Sequence, residues 1–514
     1  MGINDWLRRR RMLSPDREAV FDSATGRRYR YEELDQRATR VAQHLRTRFA
    51  IESGDRVACL STNRIEYLDL YFACGKLGAI LTPLNHRLRT GELVELLDDC
   101  APKLLVYESQ LAGALNAAWS ARTGLEAWAL DLTAEEPSQA SVASVLSKDN
   151  SSPDDFRAYF ASENDVAMIL YTSGTTGRAK GAMITYRQIH WNALNTIIGL
   201  SLTDADVAFL NMPLHHTGGW HVLFTPLMLL GGRVILQPRF DAEQCNRLMG
   251  PEGVTILFGV PTTLRMMAEA TNFAAADLSQ VRFAIFGGES CPLPLIEAYA
   301  ARGVAMRQGY GLTEAGPNCF SLPAADSIRK QGSIGLPNFF VAVRLRGEES
   351  SAVGSGEVGE LQIRGPHVFA GYWNNPQATE QAFDGDWLAT GDLMMRDEEG
   401  YYYVVGRKKE MYVSGGENVY PAQVERVLQQ HPAVALAAVI GMPDPKWGEC
   451  GWAFLELHAE TTASEADLQA WCQRHLARFQ CPAKFIFVEE MPLSASGKCD
   501  KLALAKRPAP SKEP

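Results

Sequence analysis

The sequence predicts an α/β protein: a large N-terminal domain of doubly wound α/β sheets plus a β-barrel-like subdomain, followed by a small α+β domain. Three observations predict it. Across residues 56–308, short apolar runs alternate with stretches of helical apolar spacing, the βαβ pattern. After about Ile334 the long helices drop out, and short β-type runs lie between Gly-rich turns such as Gly354-Ser355-Gly356. Beyond Gly406 helical and strand-like stretches return in a compact unit. At 514 residues the chain exceeds what one core ordinarily organises. The division expected is 1–406 (body to about 333, β subdomain from about 334) and 407–514.

Taken in order, residues 56–60, 66–76 and 79–83 read as strand, helix and strand. Strand-like runs recur at 103–107, 167–171, 207–211, 233–236, 254–258 and 282–286. Helical stretches lie between most of them, at 187–198, 220–229, 242–249, 262–270 and 293–301. The β subdomain is read from runs at 341–345, 359–363 and 401–405. The last unit has helix-like 421–430 and 465–476 with strand-like 435–440, 451–457 and 485–488. Ligands of such open α/β sheets sit at the carboxyl ends of the strands.

Lys and Arg number 50 against 60 Asp and Glu, a net charge of −10, which argues against a general nucleic-acid or anionic-membrane binder. The ten cysteines form no CxxC pair and have no metal-finger histidines, so they read as small buried hydrophobes and not as a zinc site. Arg8 to Arg11 precede Ser14-Pro15-Asp16 and not an apolar stretch, and the longest apolar region, 220–230, is too short to span a bilayer. The expected compartment is the cytoplasm.

Several segments carry chemistry. Tyr171-Thr172-Ser173-Gly174-Thr175-Thr176-Gly177-Arg178-Ala179-Lys180-Gly181 follows an apolar strand. Its small and hydroxylated residues let the backbone approach an anion, and Lys180 adds positive charge. It is no Walker loop: Ala179 stands where glycine is required, and Gly181 where Ser or Thr should follow the lysine. Further on come Pro213-Leu214-His215-His216-Thr217-Gly218-Gly219, the turn Phe286-Gly287-Gly288-Glu289-Ser290, and Gln308-Gly309-Tyr310-Gly311-Leu312-Thr313-Glu314. Trp387-Leu388-Ala389-Thr390-Gly391-Asp392, Gly406-Arg407-Lys408-Lys409-Glu410, Ser414-Gly415-Gly416-Glu417 and Pro492-Leu493-Ser494-Ala495-Ser496-Gly497-Lys498 complete the series.

Together and in this order, these segments resemble the adenylate-forming (AMP-binding) superfamily, specifically its acyl-CoA synthetase branch of fatty-acid and aryl-acid CoA ligases. The resemblance covers nearly the whole chain. It implies that Thr172, Ser173, Gly174, Thr175, Thr176, Gly177 and Lys180 form the nucleotide-phosphate loop, and that Gly288 and Glu289 contact adenine. By the same resemblance Tyr310 stacks near the adenine with Gly311 beside it, Thr313 contacts phosphate and Glu314 binds Mg²⁺, a hard cation suited to carboxylate and phosphate oxygens. His216 lines the acyl pocket, Asp392 takes the ribose hydroxyls and Arg407 faces ribose and phosphate. Lys409 is the hinge of a mobile C-terminal domain. Gly415 and Gly416 belong to a loop used in the second half-reaction, and Lys498 is the catalytic lysine. An ammonium on a flexible stem suits that role, because adenylation sets a carboxylate against the α-phosphate and concentrates negative charge.

The implied reaction joins a hydrophobic carboxylic acid, fatty or aryl, to CoA through an acyl-adenylate, with ATP, Mg²⁺ and CoA required. Two departures stand out: Ala179 replaces the loop's usual proline, and His215 an aromatic residue before His216. No Asp lies beside His215 and His216 to pair with an ammonium, which argues against an α-amino acid. An acyl-AMP ligase loading a carrier protein and a non-catalytic nucleotide sensor stay open as alternatives, as does a homodimer.

Overall fold

The structure, a computed structural model, describes residues 2–113, 115, 125–131, 141–148, 156–172, 179–288, 291–347, 351, 353–459, 461–492 and 499–506. Two large sheets form the body. One has six strands in the order Glu126–Ala129, Leu104–Tyr107, Arg56–Leu60, Ile80–Leu84, Val166–Thr172 and Lys180–Thr185. All its neighbours are parallel except the last pair, an antiparallel ribbon that returns the chain from the phosphate-loop segment. The final strand is absent from the sequence reading, because Lys180-Gly181-Ala182-Met183 shows no clean alternation.

The other sheet begins parallel, with Glu18–Asp22, Arg233–Leu236, Val207–Leu210, Ile256–Gly259, Phe283–Phe286 and Ala305–Leu312 side by side. Val207–Leu210 and Phe283–Phe286 are buried throughout, as expected of parallel strands covered on both faces. The antiparallel strands that follow Ile334 are hydrogen-bonded into this same sheet: Gly316–Ser321 links Ala305–Leu312 to Ser333–Pro337, which pairs with Tyr402–Arg407 and so reaches Trp387–Arg396 and Val358–Arg364.

The helix expected at 220–229 is broken. A π-turn covers Gly218–Val222, and an α-helix follows at Phe224–Leu230. Trp220 is fully buried, donates its indole N–H to the Leu214 carbonyl and stacks on Tyr71 at 4.6 Å. That anchoring competes with a regular helix start.

Tyr186–Leu200 is the helix that organises the centre. Thr185 caps its N-terminus by accepting from the Gln188 N–H at 3.2 Å, and Ser201 ends it in the left-handed conformation. The C-terminal unit pairs Val434–Asp444 with Gly448–Leu457, adds Lys484–Phe487 in parallel, and packs helices Pro421–Gln429 and Glu465–His475 beside them, the Trp471 indole donating to the Val427 carbonyl. None of the ten cysteines forms a disulfide, and eight are buried, where they pack as the small hydrophobes the sequence suggests. Among the described residues no helix is long and apolar enough to cross a membrane.

A buried ion cluster ties the N-terminus to the body. Lys76 Nζ lies 2.8 Å from Asp5 Oδ1 and 2.5 Å from Asp35 Oδ1, with all three side chains at most 4% exposed. Removing the ammonium leaves two buried carboxylates without their close partner, Asp35 keeping only the longer ion pair to Arg11 Nη1 at 3.7 Å. Lys76→Met should therefore destabilise the fold by about 3–5 kcal/mol, and adding Asp5→Asn and Asp35→Asn should recover most of the loss, as read from urea unfolding midpoints.

Candidate active site

Among the described residues, Thr172, Lys180, Thr313 and Glu314 lie at or just past strand ends, while Asp392 lies within the strand Trp387–Arg396 opposite Arg407. Thr172 closes the strand Val166–Thr172 and stands in register with Lys180 across the ribbon. Thr313 and Glu314 lie in a 3₁₀ turn just past the strand Ala305–Leu312. The Gln188 amide of the central helix donates to the Thr313 carbonyl at 2.8 Å, and the Phe369 N–H donates to the Glu314 carbonyl at 2.8 Å. These bonds hold the turn by its backbone and leave its side chains for the site. Thr172 Oγ1 then donates to Glu314 Oε1 at 3.4 Å, which joins the end of one sheet to the turn of the other.

Tyr372, which the sequence reading passed over, completes this group. Its hydroxyl donates to Glu314 Oε1 at 2.8 Å, and the Lys180 ammonium lies over its ring, 5.0 Å from the centroid. Gly371, at φ +124, turns the chain just before it. A glycine followed by an aromatic residue was the only sequence signal available.

A second group surrounds Asp392. Tyr310 Oη donates to Asp392 Oδ2 at 2.6 Å, and Arg407 Nε sits 3.3 Å from Oδ1. Burial first, then the Asp392 carboxylate, push the Tyr310 phenol well above its ordinary pKa, so it stays a donor. Gly311 is required beside it: a Cβ there would lie 2.3 Å from the Pro317 carbonyl. Gly288 adopts φ +87 at the end of Phe283–Phe286, and Gly287 passes so close to Gly309 that a Cβ would meet its carbonyl at 3.2 Å. Gly287 and Gly288 present no side chain to this edge, with Val260 Cγ1 the nearest side-chain atom to Gly288.

Lys409 lies two residues after Arg407, and burial together with the Arg407 charge lowers its ammonium pKa. Close by, Lys501 bridges Glu410 at 2.8 Å and Glu425 at 2.7 Å. Gly415 and Gly416, at φ +62 and +89, form the tight turn between Tyr412–Ser414 and Glu417–Val419 and lie against Trp447, apart from both groups above. Ser173, Gly174, Thr175, Thr176, Gly177, Glu289 and Lys498 lie outside the described residues.

His216 belongs to a cluster of rings, 4.4 Å from His215, which lies 5.4 Å from His86. His215 is 5% exposed, and neither of its ring nitrogens has a hydrogen-bond partner among the described residues. Burial, then the neighbouring histidines and Arg87, pull its pKa down to about 2.

Glu314 and Thr172 offer a carboxylate and a hydroxyl, hard oxygen donors that fit Mg²⁺ better than a soft metal. Asp392 with Tyr310 offers acceptors for sugar hydroxyls beside the glycine-lined edge.

Because folded His215 stays neutral while the unfolded chain takes up a proton near pH 6.5, its contribution is complete above that pH and is lost as pH falls. Between pH 6.5 and 5, His215 should cost the folded state about 1.5 kcal/mol, and His215→Phe should remove that acid sensitivity in denaturant titrations at the two pH values.

Comparison with known proteins identifies the family. The AMP-binding enzyme family model matches residues 7–373, and the model of the AMP-binding enzyme C-terminal domain matches residues 423–498. The chain is 37% identical to a feruloyl-CoA synthase of Amycolatopsis sp, covering 98% of this chain and 99% of that protein. It is 35% identical to the long-chain-fatty-acid–CoA ligase FadD13 of Mycobacterium tuberculosis, covering 98% of each. Among solved structures, ATP-bound MatB from Rhodopseudomonas palustris superposes with a TM-score of 0.89 at 31% identity, covering 98% of both chains. The o-succinylbenzoate CoA synthetase MenE of Bacillus subtilis with its acyl-adenylate superposes at 0.87, with 30% identity and 98% of both chains covered. The chain belongs to the AMP-binding enzyme family, in its acyl- and aryl-CoA ligase branch.

Proposed function

We propose that this protein is an ATP-dependent acid–CoA ligase that converts a hydrophobic carboxylic acid, fatty or aryl, to its acyl-adenylate and then to its acyl-CoA thioester. The observation that carries the reading is the pairing of two groups: Thr172, Lys180 and Glu314 for the phosphates and Mg²⁺, and Tyr310, Asp392 and Arg407 for the nucleoside. Both lie within a chain that its ligase relatives match from end to end.

In this reading Asp392 accepts hydrogen bonds from the ribose, and Tyr310 holds that carboxylate in place. Arg407 is poised on Asp392 and is the cation nearest the nucleoside. Lys180 and the loop before it neutralise the departing pyrophosphate, while Lys498 bridges the substrate carboxylate and the α-phosphate. Mg²⁺, held by Glu314, supplies charge neutralisation to the phosphate oxygens when bound. The thiol of CoA then displaces AMP, a good leaving group, after the C-terminal domain turns about Lys409. No enzyme nucleophile is needed.

The acid is hydrophobic because the relatives named above act, by their names, on ferulate and on long-chain fatty acids. Trp220, at 0% exposed, packs with Tyr67, Tyr71 and Phe224 as core and gives no reason to prefer either class. The site residues named above all belong to one chain. The absence of an apolar spanning helix among the described residues is compatible with the cytoplasm we propose.

Mass spectrometry of products from ATP, Mg²⁺, CoA and a pooled panel of aliphatic, aryl and dicarboxylic acids should show an acyl-CoA. Acyl-adenylate without thioester would transfer the proposal to a carrier-protein ligase. Lys498→Ala should abolish adenylate formation in pyrophosphate exchange yet spare thioester formation from supplied acyl-adenylate; equal loss of both would overturn its role. Lys409→Pro, which stiffens the hinge, should slow the CoA step more than adenylation in single-turnover measurements.

A further inference from the structure

We propose that Tyr372 is a positioning residue that fixes the spacing between the metal-binding carboxylate and the phosphate-neutralising ammonium. The inference rests on the reading of Glu314 and Lys180 given above. Two separate parts of one side chain do the work. The hydroxyl donates to Glu314 Oε1 at 2.8 Å, and the ring face carries the Lys180 ammonium at 5.0 Å. Thr172 Oγ1 also lies 3.4 Å from Glu314 Oε1, sharing its one proton with the Lys180 carbonyl at the same distance, so Tyr372 is the stronger of the two donors on that oxygen. Among the described residues no hydrogen bond reaches Oε2. A carboxylate clamped through one oxygen presents the other in a fixed direction, the arrangement by which hydrogen-bonding neighbours orient metal ligands. An ammonium over an aromatic face is likewise restrained without being neutralised, so it keeps its full charge for an anion.

The backbone makes the placement rigid. Residues 369–373 thread between the strand Lys180–Thr185 and the turn Thr313–Ala315. The Phe369 N–H donates to the Glu314 carbonyl, the Met183 N–H to Gly371, and the Trp373 N–H to Gly181 at 2.7 Å, with Ala182 and Tyr372 forming an antiparallel bridge. The Phe369 ring meets the Tyr372 ring edge-on at 4.9 Å. Tyr372 is therefore seated by the strand that carries Lys180 and by the turn that carries Glu314, and it cannot shift relative to one without straining the other. Burial and the Glu314 carboxylate both raise its phenol pKa, which keeps the hydroxyl a donor.

The two parts can be separated by substitution. Tyr372→Phe removes the hydroxyl and keeps the ring; Tyr372→Leu removes both. The test uses the full chain and a non-hydrolysable ATP analogue, with Mn²⁺ binding followed by electron paramagnetic resonance and nucleotide binding in EDTA followed by calorimetry. Tyr372→Phe should weaken Mn²⁺ binding in the nucleotide complex about 10-fold and leave nucleotide affinity in EDTA unchanged. Tyr372→Leu should weaken both. A merely structural role would lower the melting temperature without separating the two affinities. Phe369→Leu, which disturbs the packing but neither contact, should leave the Mn²⁺ affinity within about twofold of wild type. Glu314→Gln is run alongside. If it leaves Mn²⁺ binding intact, the metal reading of Glu314 falls and this inference with it. If it abolishes binding while Tyr372→Phe binds Mn²⁺ as wild type does, the inference about Tyr372 alone is overturned.

Discussion

The structure turns on the buried polar face of one helix. Along Tyr186–Leu200, Gln188, Asn192, Asn195 and Thr196 are all 2% exposed or less, a row of polar side chains where a core helix would ordinarily carry apolar ones. Each has a backbone or side-chain group to hold. Gln188 holds the Thr313 carbonyl, and Asn192 the His221 carbonyl and the Asn318 N–H. Asn195 accepts from the Phe340 N–H, and Thr196 from the Asn318 side chain. Buried polar groups are costly unless satisfied, and although Gln188 Oε1 and Asn195 Nδ2 have no partner among the described residues, the bonds that are made permit few alternative arrangements. The helix thereby fixes the turn Thr313–Ala315, the π-turn beyond the histidines and the entry to the antiparallel strands against one rigid rod.

This explains why the two groups of site residues are well defined although their members are far apart in sequence. Glu314 is set by Gln188 through the backbone of its turn and by Thr172 through its carboxylate. Asp392 and Tyr310 meet although Tyr402–Arg407, the strand paired with Asp392, joins Ala305–Leu312 only through Ser333–Pro337 and Gly316–Ser321. Sheet hydrogen bonding and helix polarity supply the same coordinate frame.

Much of this was legible in the chain itself, for identifiable reasons. Buried parallel strands such as Val207–Leu210 announce themselves as unbroken apolar runs, and the Gly-Leu-Thr-Glu and Thr-Gly-Asp segments carry residue types whose chemistry is narrow. What stayed hidden depends on tertiary partners. The ribbon strand Lys180–Thr185 has no alternation to read, since both its faces are partly covered. The π-turn at Gly218–Val222 exists because Trp220 is pinned by Leu214 and Tyr71, contacts that no helical periodicity encodes. Tyr372 looks like any aromatic residue after a glycine until the fold carries it to Glu314, 58 positions away in the chain.

The parallel pairing of Glu18–Asp22 with Arg233–Leu236 has a consequence for biosynthesis. Ser23 hydrogen-bonds a carbonyl 213 residues further along, so when Glu18–Asp22 leaves the ribosome its available sheet neighbour among the described strands is the short Arg27–Arg30. At ordinary elongation rates it waits roughly 10–40 s for its parallel partner to be made, exposing Val20 and Phe21 meanwhile. The charged arginines that crowd its hairpin, Arg27, Arg28 and Arg30, then act during synthesis as guards of an open edge, disfavouring pairing with other nascent chains until the native neighbour emerges.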